Sequence, residues 1–226
     1  MEINVIAKIK TDFPQKFGIP RQSGVVETLK GEIIFHKEYS NPDALRGLEG
    51  FSHLWLIWEF SENIRDSWSP TVRPPRLGGN ERMGVFATRS PFRPNPIGLS
   101  VVKIEEIILN SPEGPKITVS GADLMDGTPI YDIKPYLPYA DCIENAKGGF
   151  ANGYNKHKLE VEIEAENLNK IPENKRESLI ETLSLDPRPP YQNDEKRVYS
   201  MLFSDMEIKF TVCENILRVK KVEKIS

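Results

Sequence analysis

Short apolar and β-branched runs, separated by turns rich in glycine and proline, dominate the first 140 positions of the chain. Runs of this length favour strands over helices, because they suit half-buried or central positions in a sheet. We expect strands at 3–10, 25–35, 51–60, 84–88, 100–109, 116–124 and 130–133, with one short capped helix at 41–46. The pattern therefore predicts a mainly β unit whose sheet is closed on itself or sandwiched.

The pattern changes after a stretch rich in Gly, Asn and Lys at 141–158, which we interpret as a linker. A strand at 159–163 and a helix at 172–185 follow, the helix carrying Leu179, Ile180 and Leu183 on one face. A three-stranded meander is expected at 198–203, 206–213 and 216–222. We therefore predict a β domain over 1–145 and a small α+β domain over 155–226.

Composition narrows the class of protein. The chain has 226 residues and a net charge of −3, which gives no chain-wide attraction to nucleic acid or to an anionic membrane. The polar N-terminus is not typical of a signal peptide, and no apolar run has membrane-spanning length. Two isolated cysteines, Cys142 and Cys213, suit a reducing cytoplasm, and the absence of paired His or Cys motifs predicts no metal site.

The charge is unevenly distributed. Six arginines against two acids occupy positions 65–93, while 159–177 is rich in acids. A basic stripe on an acidic protein indicates an anionic partner at one face. Surface arginines paired with nearby acids are the alternative.

The segment Thr88–Ser100 contains three prolines, two arginines and an asparagine. Because proline fixes φ and lacks an N–H donor, this segment can be neither a helix interior nor a central strand. Rigid loops that carry Arg and Asn often hold anionic or polar ligands. A plain proline-rich connector with solvated arginines is the other interpretation.

Familiar catalytic motifs are missing, since the chain has no phosphate-binding loop and no nucleophile elbow. An enzyme built from it would therefore work by positioning its substrates. Four loop clusters, at 20–22, 60–61, 89–99 and 124–129, begin or end predicted strands. Turn chemistry explains each one alone, but together they would suit a ligand with an adenine, a ribose and a zwitterionic tail.

Several long segments, in order, resemble the TsaA-like (TrmO) family of S-adenosylmethionine-dependent tRNA methyltransferases. That family modifies N6-threonylcarbamoyladenosine at position 37, beside the anticodon. The matching segments are Pro20-Arg21-Gln22, Arg46 to Glu49, Phe51 to Trp55, Arg73 to Gly79, Met83 to Ser90, Phe92 to Gly98, Asp126 to Pro129, Asp132 to Pro138 and Asp186 to Tyr191.

The resemblance implies a single-sheet β-barrel that binds S-adenosyl-L-methionine without a Rossmann domain, in a homodimer with the donor site near the subunit interface. The implied donor residues are Pro20, Arg21, Gln22, Phe60, Ser61, Arg89, Leu99, Leu124, Met125, Asp126 and Gly127. Two positions differ from the usual family pattern: Ser61 occupies a variable position, and Ser23-Gly24 stands where the family often has Pro-Gly.

The implied partner is the anticodon arm of a tRNA. Its candidate contacts are Arg73, Arg76, Arg93, Asn95, Lys134, Arg188 and Tyr191. No catalytic base is identified; Asp126 and Asp132 are candidates by location, and ribose binding is an equal alternative for Asp126. The C-terminal domain is expected to act as a lid or tRNA contact whose deletion spares donor binding. A non-catalytic RNA-binding module and a methyltransferase with another acceptor remain as alternatives.

Overall fold

A computed structural model describes residues 2–64, 67–77, 79–152, 158–189, 192 and 194–225, apart from the side chain of Arg76. Within those residues the strands are β1 Ala7–Lys10, β2 Lys30–Phe35, β3 His53–Glu59, β4 Thr71–Val72, β5 Met83–Gly84, β6 Ile97–Ile108, β7 Lys116–Ser120, β8 Pro129–Pro135, β9 Glu160–Ile163, β10 Tyr199–Phe203, β11 Met206–Cys213 and β12 Ile216–Lys224. The α-helices are α1 Pro138–Asp141, α2 Ala165–Leu168 and α3 Glu173–Ser184.

Six strands form a closed antiparallel barrel in the order β1-β2-β7-β6-β3-β8. Along β3, the alternate residues Leu54, Leu56 and Trp58 are buried and belong to the barrel core. This alternation arises because successive side chains of a strand point to opposite faces of the sheet. The prediction of a mainly β, single-sheet barrel with a smaller α+β region is confirmed.

One local prediction in the barrel half is wrong. The expected strand at 84–88 is a 3₁₀ turn over Val85–Ala87, preceded by the two-residue strand β5. The backbone N–H and the hydroxyl of Thr88 both donate to the carbonyl of Val85, at 3.1 and 2.8 Å, which satisfies that carbonyl locally. The short capped helix expected at 41–46 is confirmed as a 3₁₀ helix over Pro42–Leu45, which the Asn41 side chain caps.

The C-terminal sheet has four strands, in the order β10-β11-β12-β9. The predicted meander is present as β10, β11 and β12, and β9 extends it by pairing parallel to β12. A parallel neighbour needs a crossover connection. Here α2 and α3 lie between β9 and the meander, and α3 places Leu179 and Leu183 in the core under the sheet.

The segment between β1 and β2, residues 11–29, belongs to the C-terminal core. Phe13, Val26 and Leu29 are buried among the residues of β10, β11 and β12. The rings of Phe13 and Phe203 meet edge to face at 5.5 Å. Gly18 has a φ of 95°, and a Cβ at that position would lie 2.1 Å from Sδ of Met201. The segment is therefore anchored in the C-terminal unit, while its two ends continue directly into the barrel strands β1 and β2.

Candidate functional site

A cavity of about 600 Å³ opens at one end of the barrel. It lies where β3 ends, where β6 begins and beyond the end of β7, and segment 11–29 closes one side. Its wall is largely apolar, with Trp58, Phe60, Leu99 and Leu124 among the lining residues. Cavities of this size and character commonly bind small organic ligands.

Gly98 allows the wall of this cavity to form. It lies directly opposite Trp58 in the pairing of β3 with β6. A Cβ at position 98 would approach the Trp58 indole to 2.3 Å, so only glycine lets the ring lie across β6. The indole then packs against Phe60 with ring centroids 4.3 Å apart.

An arginine–glutamine contact connects the two loops at the rim. Nη1 of Arg89 donates to Oε1 of Gln22, linking the proline-rich loop to segment 11–29. Both residues line the cavity. The contact brings together two of the sequence clusters that are far apart in the chain.

Arg93 braces its own loop. Its Nη1 donates to the carbonyl of Thr88 at 2.7 Å and to the carbonyl of Val85 at 3.4 Å. The guanidinium also lies over the ring of Phe86, 5.8 Å from its centroid. Arg93 lines the cavity, but these contacts tie much of its hydrogen-bonding capacity to the loop.

Asp123, a partly buried carboxyl group in the cavity wall, is not among the site residues expected from the sequence. Ser100 donates to Oδ1 of Asp123 at 2.6 Å, and Nε1 of Trp58 donates to the Ser100 hydroxyl at 3.0 Å. Burial raises the pKa of Asp123, while the Ser100 hydrogen bond and the nearby charge of Arg89 act in the opposite direction. An acid between the apolar residues Ala122 and Leu124, just beyond β7, was the available sequence signal.

Nine of the eleven predicted donor residues line this one cavity. They are Pro20, Arg21, Gln22, Phe60, Ser61, Arg89, Leu99, Leu124 and Met125. Asp126 and Gly127 are not among the lining residues. The Asp126 carboxylate instead accepts the backbone N–H of Thr11 at 2.9 Å, and its own N–H donates to the Phe13 carbonyl at 2.8 Å.

The two weak catalytic candidates, Asp126 and Asp132, both lie outside the lining of the cavity. Asp132 pairs with Lys134 at 2.9 Å on the outer part of β8. Each carboxylate therefore has a local structural partner outside the lining of this cavity.

A second, more open groove of about 1380 Å³ adjoins the first. Arg21, Gln22, Thr88, Arg89 and Pro91 line both. We call this second depression the cationic groove, because five cations and no carboxylate are found among its described lining residues. The cations are Arg21, Arg73, Arg82, Arg89 and Lys147.

The predicted tRNA contacts divide between these features. Arg73 lines the cationic groove and Arg93 lines the first cavity, while Asn95 and Lys134 line neither. Arg188 is also absent from both linings, and its guanidinium forms two 2.8 Å hydrogen bonds to the Asp186 carboxylate, so it stabilises its own turn. The Arg76 side chain and Tyr191 lie outside the described residues.

The residues that the structure describes contain no group of three or more His, Cys, Asp or Glu side chains arranged to hold a metal ion. No helix among them is long and apolar enough to cross a membrane.

Comparisons with known proteins point in one direction. The family model for the tRNA-methyltransferase O N-terminal domain matches residues 8–142, and that for the TrmO C-terminal domain matches residues 156–225. The tRNA (adenine(37)-N6)-methyltransferase of Escherichia coli strain K12 is 40% identical over 217 residues, covering 92% of each chain. A Pseudomonas aeruginosa protein that carries a provisional name as an S-adenosylmethionine-dependent methyltransferase is 38% identical, over 91% of this chain and 90% of its own.

A solved structure shares the fold. The crystal structure of TrmO from Pseudomonas aeruginosa superposes with a TM-score of 0.79 at 30% identity, covering 99% of this chain and 98% of that one. The closed antiparallel barrel with a cavity at its end places the protein in a mainly β, non-Rossmann class. Within that class, this chain belongs to the TrmO family. The resemblance read from the sequence segments is therefore confirmed.

Proposed function

We propose that this chain is an S-adenosylmethionine-dependent methyltransferase that methylates N6 of N6-threonylcarbamoyladenosine at position 37 of tRNA, next to the anticodon. The observation that carries the proposal is the convergence of nine predicted donor residues on one cavity. Membership of the TrmO family and the name of the E. coli relative support the choice of reaction.

The residues of the cavity fit the donor chemically. Phe60, Leu99 and Leu124 offer an apolar surface for a purine, and Arg89 offers a guanidinium for a carboxylate. Asp123 places negative charge in the same wall, which favours a ligand that carries positive charge. The donor, when bound, supplies a methyl carbon that its sulfonium already activates for in-line displacement.

The main task of the protein is then alignment. The Trp58–Phe60 packing and the Arg89–Gln22 hydrogen bond each hold part of the cavity wall in a fixed position. Fixed positioning of two reactants removes translational and rotational entropy from the barrier. We assign no residue as a proton acceptor, since Asp126 and Asp132 lie outside the cavity lining.

The cationic groove is the proposed entry for the tRNA. We call the first cavity, which we propose binds the methyl donor, the donor cavity. Arg21 and Arg89 line both this cavity and the groove, so RNA lying in the groove reaches the donor cavity across those two side chains. Arg73, Arg82 and Lys147 supply charge for phosphate contacts, whose number sets the salt dependence of affinity.

The predicted homodimer and the cytoplasmic location are part of this proposal. Ile97 and Leu99 expose apolar surface at the cavity. A second subunit seated there would cover that surface, which is the arrangement that the family resemblance implies. The cytoplasmic prediction rests on Cys142 and Cys213, both of which are free thiols. Sedimentation velocity of the purified chain tests the dimer.

The function is tested by incubating the protein with methyl-labelled donor and bulk tRNA, with and without the threonylcarbamoyl modification. We expect label only in the modified tRNA, at adenosine 37. Arg89→Ala should abolish transfer, whereas Arg46→Ala, which removes an exposed arginine paired with Asp43, is the matched control. Donor binding without transfer to any tRNA would instead favour a regulatory RNA-binding module, and transfer to unmodified tRNA would favour another acceptor.

A further inference from the structure

Two large aromatic side chains stand in solvent beside the cationic groove. Phe86 is 70% exposed and Trp68 is 50% exposed, and their rings stack with centroids 6.0 Å apart and an interplanar angle of 29°. Phe86 itself lines the groove. We call this pair the aromatic platform. Exposed apolar surface of this kind commonly marks a binding site for a partner.

The platform is held by its own local structure. The 3₁₀ turn that carries Phe86 follows β5, and the backbone N–H of Val85 donates to the carbonyl of Pro70 at 2.9 Å, close to Trp68 in the chain. Arg93 fixes the same turn from the other side through the Thr88 carbonyl and lies over the Phe86 ring. A stacking surface that is already ordered loses little entropy when it binds.

The charge around the platform indicates which partner it fits. Arg82 and Arg73 line the groove with Phe86, and no carboxylate is found among the described lining residues. A second copy docked here by twofold symmetry would bring the same cations together, which is unfavourable. Single-stranded RNA supplies both phosphates for the arginines and unstacked bases for the rings.

We propose that Trp68 and Phe86 form a stacking platform for unpaired anticodon-loop bases that flank the modified adenosine, while the neighbouring arginines hold the backbone of that loop. The proposal rests on the proposed function, and deepens it by naming the surface that orients the RNA. It also explains why the platform lies beside Arg89, the residue that lines both the groove and the donor cavity.

The test measures binding of a fluorescent anticodon stem-loop RNA by anisotropy over a range of salt concentrations, without donor. Phe86→Leu and Trp68→Leu should each weaken binding about tenfold, in line with the usual contribution of one stacked base, with an unchanged salt slope. Phe86→Tyr should retain affinity, because it keeps the ring. Arg82→Gln should instead reduce the salt slope by about one contact.

Tyr139→Leu is the matched control, since Tyr139 is an aromatic residue 87% exposed that lines neither the donor cavity nor the groove. Donor binding by calorimetry should be the same in all five variants, which separates this test from the proposed function. Wild-type RNA affinity in both leucine variants would overturn the proposal. So would a shift of either variant from dimer to monomer with unchanged RNA affinity, because the platform would then serve self-association.

Discussion

At the scale of single residues, we propose that Asp123 faces the bound donor from the cavity wall. Its carboxyl group is partly buried, and burial raises its pKa although Ser100 donates to it and Arg89 lies nearby. The Asp123 carboxyl is therefore harder to ionise in the folded protein than in the unfolded chain. A buried ionised acid is costly unless another charge offsets it, and the proposed donor brings positive charge to this cavity.

We predict that Asp123→Asn makes the protein more stable at neutral pH and weakens donor binding. Below the ordinary pKa of Asp, about 3.9, the carboxyl group is protonated in both the folded and the unfolded protein, and the wild type is at its most stable with respect to this group. As the pH rises through the raised pKa of the folded protein, that stability is lost. Asn accepts the Ser100 hydrogen bond and does not ionise, so its advantage in the free energy of unfolding should vanish in acid.

The measurements are thermal unfolding of both proteins from pH 3 to pH 8 and calorimetry with the donor and with its uncharged thioether product. We expect donor affinity to fall about tenfold or more, as for the loss of a charged interaction, and product affinity to change less. A variant that is less stable than the wild type at pH 7, with unaltered preference for donor over product, would contradict this role for Asp123.

At the scale of elements, the pairing of β3 with β6 determines the shape of the cavity. Trp58 crosses β6 at Gly98, and no other residue type leaves room for the indole at that position. A register position is thus linked directly to the site. A displaced Trp58 ring would move Phe60, against which it packs, and would break the hydrogen bond that the Trp58 indole donates to Ser100.

We predict that Gly98→Ala lowers the free energy of unfolding by about 1–3 kcal/mol, the usual cost of overpacking a core, and also weakens donor binding. Chemical denaturation and calorimetry check the two effects. Gly50→Ala is the control, since a Cβ there would meet no atom within 4 Å. Equal stability of the two variants would show that the Trp58 wall yields without cost.

The proline-rich loop gives a second prediction at this scale, because its two arginines have different tasks. Arg93 donates to two backbone carbonyls of the 85–88 turn, whereas Arg89 contacts Gln22 at the rim. Arg93→Ala should therefore speed amide exchange of residues 85–88 by about tenfold or more, since it removes a brace worth roughly 1–3 kcal/mol. Arg89→Ala should leave that exchange unchanged while weakening donor binding. Exchange measured by mass spectrometry distinguishes them, and identical profiles would refute the division of tasks.

The alternating pattern of β3 and the apolar runs of β6 and β7 were sufficient to predict the barrel strands within a few residues. The turn at 85–87 was mispredicted because its order comes from Thr88 and Arg93 binding the Val85 carbonyl, which leaves no periodic signature. Asp123 was missed for a related reason: its significance depends on Ser100 and Trp58, which lie far from it in the chain.

At the scale of the whole molecule, the proposed donor cavity depends on both halves of the chain. Pro20, Arg21 and Gln22 line it, yet the segment that carries them is packed into the C-terminal core through Phe13, Val26 and Leu29. Lys175 of α3 pairs with Asp12, and Thr28 donates to Glu181 of the same helix at 2.6 Å. A freely detachable lid, as expected from the sequence, would not share a core in this way.

We therefore predict that deleting residues 156–226 abolishes donor binding as well as methylation, because the deletion exposes Phe13, Val26 and Leu29 and releases the segment that holds Gln22 against Arg89. If the truncated chain does not fold, Phe203→Leu gives a milder version of the test. Phe203 is fully buried against Phe13, and it lines neither the donor cavity nor the cationic groove.

Phe203→Leu should cost about 1–2 kcal/mol of stability, as a near-volume-conserving core change, and should still reduce donor affinity measured by calorimetry at a temperature where the variant is folded. Val222→Ala is the matched control, because it changes the same core in β12 and leaves the ring contact between Phe13 and Phe203 in place. It should lower stability without a comparable loss of donor affinity. Two results together would contradict this prediction: equal donor affinity in Phe203→Leu and Val222→Ala, and donor binding by the truncated chain as tight as by the full chain. They would mean that the barrel alone forms the site.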